Sequence, residues 1–429
     1  MAKSGCLSDG RIKDNSVIRV SELIQKRNKT DKLINYLKNL ELFLKSKISP
    51  NEIIFGNEYE ANFDSVFDLR GESYDDMEII TNNIVGTIQY DNVRFEIRSR
   101  FGDRFLLYMI ANAEGFLEYE DLGSLEKDAA DSLGEWMLVY LWKQKLKKAA
   151  ALGMYKSYEE RKEELRGVKG SVDFSNVRAL AQKRLECRYR EHVYDNEINY
   201  KIRLALEKSF KKYQHLVKDL GYLKRGFDEI KIPKRSSSTI RNPYYYPYKE
   251  VYELSLKILR DEYAAIGGEK FNALLFDISM LFEHHIRKLL MREFTIDEKN
   301  KKEFTIPTGV RKAPIYPDVV IKHSDDEISI YDVKYKRFDT NEGVLREDRF
   351  QLVSYVAIYG QKYKIKECGF IYPKNDDKSE EWSDKLKICD NKNNIPFKIK
   401  FYPVTSDGDF KTKQRKLDEE FIETFIKKS

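Results

Sequence analysis

The sequence predicts an α+β / α/β multidomain protein, and three observations carry that prediction. Its 429 residues leave room for two or three cores. Stretches of strand-like alternation interleave with stretches whose apolar residues recur at helical spacing. Residues 315–338, IYPDVVIKHSDDEISIYDVKYKRF, read as strand, polar turn and strand.

Taken in order, residues 1–50 open polar and then form a helix from Asp31. Leu33, Leu37, Leu40 and Leu44 share its apolar face, which either packs on its own domain or docks elsewhere. Strands follow up to Gly102: residues 87–90 and 93–98 flank Asp91-Asn92, a two-residue hairpin turn. Phe95 and Ile97 face one side, and Arg94, Glu96 and Arg98 form a solvated row on the other. Helices are expected from Arg104 to about Leu223, with faces at Leu106, Leu107 and Ile110 and at Trp136, Val139, Tyr140 and Leu141. The basic run Lys143, Lys145, Lys147 and Lys148 suits the negative carboxyl end of a solvated helix, a phosphate contact being the alternative. Gly167 and Gly170 interrupt the helices, and residues 171–174 resume as a short strand. His192 has no companion at metal-ligand spacing. Residues 232–248 are rich in serine, then in proline and tyrosine, and read as a linker or interdomain strap. Its tyrosines either pack between domains or stack on unpaired bases.

A long helix is expected over residues 271–292, with Phe276, Met280, Phe282, Ile286 and Leu290 turned inward. Glu283 on it is either the partner of Arg287 in a surface i,i+4 pair or a third carboxylate beside a metal. His284 and His285 point apart and neither is expected to ligate. After the 315–338 hairpin come a helix around residues 349–355, a buried strand at 369–373 ending on its proline, and a strand at 397–404.

The hairpin carries the chemistry. Asp332 and Lys334 share a face, and folding about Asp325 sets Asp318 opposite Asp332, at roughly 4.5–5.5 Å between facing Cα atoms. Two hard carboxylates can hold Mg²⁺ or Mn²⁺ while leaving room for water and a phosphate oxygen. Lys334 would orient that water or stabilise charge on the phosphate. The D-x-K spacing alone says little, since Asp297/Lys299 and Asp376/Lys378 repeat it outside any apolar alternation.

The 77 basic and 71 acidic residues give a net charge of +6, a mild excess that does not by itself name nucleic acid as a partner. Cys6, Cys187, Cys368 and Cys389 form no C-x-x-C pair, which argues against a zinc knuckle or disulfide framework and suits a reducing cytosol. The longest apolar run, residues 136–142, is too short for a membrane span, and the start MAKSGCLSDG lacks a signal-peptide core. A cytoplasmic protein with no membrane attachment is expected.

The pattern PD-x(13)-D-x-K, Pro317-Asp318 with Asp332 and Lys334, resembles the PD-(D/E)xK nuclease superfamily. The wider chain resembles the McrC family, nuclease subunits of McrBC-type modification-dependent restriction systems. Four segments carry that resemblance: FEIRSRFGDRFLLYMI at 95–110, EELRGVKGSVDF at 163–174, YDNEINYKIRLAL at 194–206 and LLFDISMLFEHHIRKLL at 274–290. It implies a C-terminal restriction-endonuclease-like mixed sheet flanked by helices, an N-terminal β-hairpin-containing stalk domain and a helical middle region. The parts expected are 1–50, an N-terminal extension; 51–175, a partner-binding stalk; 176–249, a connector; and 250–429, the nuclease. It also implies double-stranded DNA as substrate, Asp318, Asp332 and Glu283 around Mg²⁺, and Lys334 at the reacting phosphate. Gln351 and Tyr355 resemble a Q-x-x-x-Y element bordering such sites, and Lys336 and Arg337 would meet the DNA backbone. The resemblance further implies an McrB-like AAA+ GTPase hexamer as partner; the sequence has no G-x-x-x-x-G-K-[ST] loop, so this chain is not expected to be the motor itself. A stand-alone nuclease and a non-catalytic assembly factor are the rival expectations.

Overall fold

The computed structural model describes residues 12–23, 30–48, 53–55, 65–90, 93–115, 133–233, 239–259, 263–264, 270–297, 304–307, 312–375, 380–386, 394–406 and 409–426. The Asp91-Asn92 turn, Cys6, Cys389 and part of the 232–248 strap lie outside them. Internal contacts divide the chain into two units, Met1–Glu120 with Ala264–Ser429, and Asp121–Tyr263.

In the first unit, helix α1 (Thr30–Lys47) buries Leu37, Leu40 and Leu44. Phe43 on that face lies 4.3 Å from the Phe271 ring and Tyr36 Oη donates to the Tyr90 carbonyl at 2.9 Å, so the helix packs on its own unit. Strands β1 (Ile84–Tyr90) and β2 (Val93–Ile97) pair antiparallel, Gly86 facing Ile97. The expected solvated row on β2 is closed instead: Glu96 is 3% exposed and lies between Arg94 and Arg98, at 3.4 and 3.5 Å. Helix α2 (Asp103–Glu114) follows, buried from Phe105 to Ala111.

The helix expected over 271–292 is a strand and a shorter helix. Strand β3 (Lys270–Asp277) pairs with β1 from Phe271↔Tyr90 to Asp277↔Ile84, and helix α3 (Ile278–Leu290) begins where the Asp277 carboxylate accepts from the Ser279 and Met280 amides. That cap sets the boundary, and ladder bonds to β1 hold the residues before it extended. The pairing also places the hairpin expected in a separate 51–175 domain on the same sheet as the strand that opens the C-terminal part. Met280 is only half-buried, whereas Phe282, Ile286 and Leu290 are buried as expected.

The central sheet has six strands: β4 (Thr295–Ile296), β5 (Val319–Lys322), β6 (Glu327–Val333), β7 (Lys364–Asn375), β8 (Glu380–Leu386) and β9 (Ile395–Val404). Their spatial order is β4-β5-β6-β7-β9-β8, with β6, β7 and β9 parallel and the outer pairs antiparallel. Pro373 does not end β7, which runs on opposite β9 to Asn375. Alternation sends Val320, Ile328, Ile330 and Phe370 to one face, where helix α4 (Arg346–Tyr359) adds Leu352, Val356 and Tyr359. The other face receives helix α5 (Phe410–Ile426): Phe425 lies 5.2 Å from Tyr331 and Phe421 5.2 Å from Tyr402.

A fully buried His285 ties these layers together. Its Nδ1 accepts from Asn112 at 2.9 Å and its Nε2 lies 2.9 Å from Tyr402 Oη, which donates to Asp418. Burial, helped by the Arg292 charge, lowers its pKa to about 3. The unfolded chain therefore takes up a proton near pH 6.5 that the fold refuses. This contribution to stability is complete above pH 6.5 and is lost as pH falls towards 3, by about 1.4 kcal/mol per unit. From pH 7 to 5 the unfolding free energy is expected to drop by about 2 kcal/mol more in the wild type than in His285→Gln. Equal losses in the two would rule this origin out.

In the second unit, helices Leu133–Ala150, Glu197–Lys212 and Pro247–Leu259 pack together, Trp142 Nε1 donating to Ser255 at 2.8 Å. The short strand expected at 171–174 is present as Ser171–Asp173, and it joins a three-stranded antiparallel sheet with Ser157–Leu165 and Leu185–Val193, which stand where helices were expected. Its strands are rich in charge, and cross-strand pairs such as Arg161–Glu191 (3.0 Å) and Glu160–Arg190 (3.2 Å) take the place of an apolar face. The 143–148 basic run is a solvated helix end only at Lys148, which is exposed in the last turn. Lys143 is 1% exposed, donates to the Leu216 carbonyl at 2.8 Å and meets Asp219 at 3.0 Å, while Lys147 pairs with Asp219 and Lys145 with Glu250. Tyr245 and Tyr248 pack on Tyr155 inside the same unit. His192 is exposed beside Tyr158. Among the described residues, no helix is long and apolar enough to cross a membrane.

Candidate active site

Strands β5 and β6 pair with Val319 opposite Tyr331 and Ile321 opposite Ser329. Continued one step, that register sets Asp318 opposite Asp332, as folding about Asp325 requires. Both residues take the face that carries Val320 and Ile330, towards α4. One Asp318 oxygen accepts the Val333 amide at 2.8 Å, which ties the end of β5 to the D-x-K backbone. Arg287 of α3 donates to the Asp318 carbonyl at 2.5 Å and to the Asp297 carbonyl at 2.8 Å. The arginine thus holds the entry to β5, a role that its sequence spacing to Glu283 did not suggest.

Asp332 is 1% exposed. Burial first, and then the charge of Asp318, push its pKa up to about 8, against the pull of Lys334. Its Oδ2 has the Lys334 ammonium 2.7 Å away yet receives no well-directed hydrogen bond. Two like charges in a low-dielectric pocket are what a bound dication would relieve. This donor set, all hard oxygen, fits Mg²⁺ or Mn²⁺, with Asp318 and Asp332 the residues that would hold it.

Lys334 sits at the centre of a polar ring. It meets Asp332, lies 3.5 Å from Asp348 and donates to Gln351 Oε1 at 2.8 Å. Gln351 in turn donates to Tyr355 Oη at 2.8 Å. Burial works against the ammonium, but Asp332 and its neighbours outweigh it and raise the Lys334 pKa. The Tyr355 hydroxyl is driven upward by burial and by the charges of Asp332, Asp318 and Glu283. The first turn of α4 thus brings a carboxylate absent from the sequence reading, Asp348, which is 8% exposed and also pairs with Lys336. Nothing in the D-x-K pattern points to a carboxylate 14 residues beyond Lys334.

Glu283 is 5% exposed on α3 and within electrostatic reach of Tyr355. Among the described residues, no group of three His, Cys, Asp or Glu side chains is placed to hold one metal ion. Lys336 spends its charge on Asp348, whereas Arg337 is exposed. Gln351→Ala is expected to slow any phosphodiester cleavage about tenfold by releasing Lys334 from its amide anchor, within the roughly 1.4 kcal/mol that such a factor represents. Tyr355→Phe, which leaves that anchor in place, should lose less. A larger loss for Tyr355→Phe in a cleavage time course would move the key contact to the tyrosine.

A family model described as "McrBC 5-methylcytosine restriction system component" matches residues 79–373. Among solved structures, the chain resembles one from the refined half-complex of the tetradecameric assembly of Thermococcus gammatolerans McrB AAA+ hexamers with bound McrC. The two are 17% identical with a TM-score of 0.53, over 97% of this chain and 98% of that one. A second, from the cryo-EM structure of the T. gammatolerans McrBC complex, is 18% identical with a TM-score of 0.39, over 66% of this chain and 86% of that one. No curated protein matches the chain.

Proposed function

The chain belongs to the family of McrBC 5-methylcytosine restriction system components, and from that premise we propose that it is the system's DNA-cleaving subunit, a Mg²⁺-dependent PD-(D/E)xK endonuclease that docks on and stimulates an McrB-like AAA+ GTPase. One observation carries the catalytic half: Asp318, Asp332 and Lys334 meet on one face at the end of the central sheet, with Gln351 completing the lysine's shell. The partner half is supported by the fold shared with the T. gammatolerans assembly, in which McrB hexamers are found with bound McrC.

Mg²⁺ held by the two aspartates would supply Lewis acidity to the phosphate and lower the cost of activating water. Lys334, held protonated by its acidic neighbours, would donate to a phosphate oxygen as negative charge builds there, rather than serve as a base. Asp348 and Gln351 keep its long side chain in one position, so little reorganisation is needed on reaction. Asp318, tied to the Val333 amide, fixes the separation of the two carboxylates.

The test mixes the purified chain with the McrB-like partner, GTP, Mg²⁺ and methylated or unmethylated duplex DNA. Cutting of methylated duplex that needs all components is the expected result. Cutting of unmodified DNA by the chain and Mg²⁺ alone would replace this reading with a stand-alone nuclease. GTPase stimulation with no cutting would leave an assembly factor.

A further inference from the structure

Beside the acidic site, in the same unit, lies a cavity of about 1430 Å³. Its wall includes Arg100, Arg337, Arg346 and Arg349, and the rings of Phe350 and Trp382. We propose that it is a nucleotide subsite, taking the phosphate and the unpaired base of a single-stranded DNA segment next to the cut. The inference rests on the nuclease reading and names a second contact for the same substrate.

The first argument is Arg100. It is 8% exposed, and its Nε, Nη1 and Nη2 atoms are buried with no hydrogen-bond partner. A guanidinium cannot escape burial by losing its proton, so an unpaired fork held out of water is costly unless an anion meets it. The fork is kept in place by aromatic rings, its central carbon 5.0 Å from Phe101 and 4.7 Å from Tyr335. Buried Asp14 accepts the backbone amide of Arg100 at 2.5 Å, and its charge acts on the guanidinium without a hydrogen bond to the fork. Arg337 lies close enough for its charge to act on Arg100. Two guanidinium forks approaching one space match the oxygen pairs of a phosphate.

The second argument is aromatic. Phe350 is 58% exposed and Trp382 50% exposed, both on the cavity wall, and Arg346 lies 5.3 Å from the Phe350 ring. Open aromatic faces beside arginine forks take stacked bases without regard to sequence. Of the cavity's acids, Glu381 is already engaged by Lys398 and Lys400. The cavity also joins the site through one helix: α4 supplies Arg349 and Phe350 to the cavity and Gln351 to Lys334. A paired duplex offers no free base to such a wall, whereas a strand opened near the cut does.

The experiment titrates the full chain, in EDTA, with a ten-residue oligothymidylate, the same sequence as duplex, and inorganic phosphate. Trp382 fluorescence is the readout, and Trp136 and Trp142 are buried and serve as background. The single strand is expected to quench Trp382 and to bind at least tenfold more tightly than the duplex. Arg337→Ala and Arg100→Lys should each weaken it about tenfold, and Trp382→Phe should remove the quench. Because Arg337 is exposed, its variant carries the test if Arg100→Lys does not fold. Equal binding of duplex and single strand, or phosphate competing as well as the oligonucleotide, overturns the proposal. With metal chelated, a failed subsite gives no quench beside intact cutting in Mg²⁺, whereas a failed nuclease reading gives a quench and no cutting.

Discussion

Asp332→Asn is expected to lower DNA cleavage by the assembled complex on the order of 10³-fold, the scale on which loss of a charge-stabilising group acts in a preorganised site. The side chain keeps its shape, so packing at a 1% exposed position is preserved. Burial and the charge of Asp318 already push its carboxyl up, so an uncharged amide spares the fold the cost of holding a second negative charge there. The melting temperature should therefore stay within a few degrees of the wild type, and stimulation of the partner GTPase should persist. Lys334→Ala should reduce cleavage comparably. It strips a buried carboxylate of the cation 2.7 Å away, so it should also cost stability. Cleavage by Asp332→Asn within tenfold of wild type would remove the acidic pair from the chemistry.

The acidic pair was legible in the sequence because a hairpin's register follows from alternation and turn position. Asp318, Asp325 and Asp332 are evenly spaced, and one apolar pattern fits both strands. Lys334 follows from Asp332 by the same alternation, and Gln351 and Tyr355 share a face because they lie one helical turn apart. Arg100 and Asp348 were not legible. Their roles depend on where α4 and the segment before α2 come to rest, and no local periodicity encodes that. Strand β3 was misread because KFNALLFD is apolar on both sides of its alternation, a pattern that fits a buried helix equally well. The charged sheet of the second unit was hidden for the opposite reason. Its strands carry alternating charge with almost no apolar face, and only pairing across strands makes the pattern intelligible.

Gly369→Ala is expected to be among the most destabilising single substitutions in the first unit, at about 3 kcal/mol or more, since overpacking here meets backbone rather than a yielding side chain. Gly369 lies on β7 between Tyr331 of β6 and Lys398 of β9. A methyl group there would stand 1.8 Å from the Lys398 carbonyl oxygen and 2.8 Å from its carbon. Relief requires β7 and β9 to separate. That would strain the ladder on both sides and draw Lys398 from Glu367 and Glu381, each 3.2 Å away. The shift would also reach the site, because the Lys334 amide donates to the Ile371 carbonyl on β7 at 2.9 Å. Melting temperature and cleavage should therefore fall together, the first by roughly 6–12 °C for a unit of this size. Gly343→Ala is the contrasting case. Its φ is +70°, but nothing lies within 4 Å of the added carbon, so only the backbone penalty of about 1–2 kcal/mol remains. If the two variants melt alike, the close approach of β7 to β9 is not what holds the central sheet, and with it the D-x-K lysine, in place.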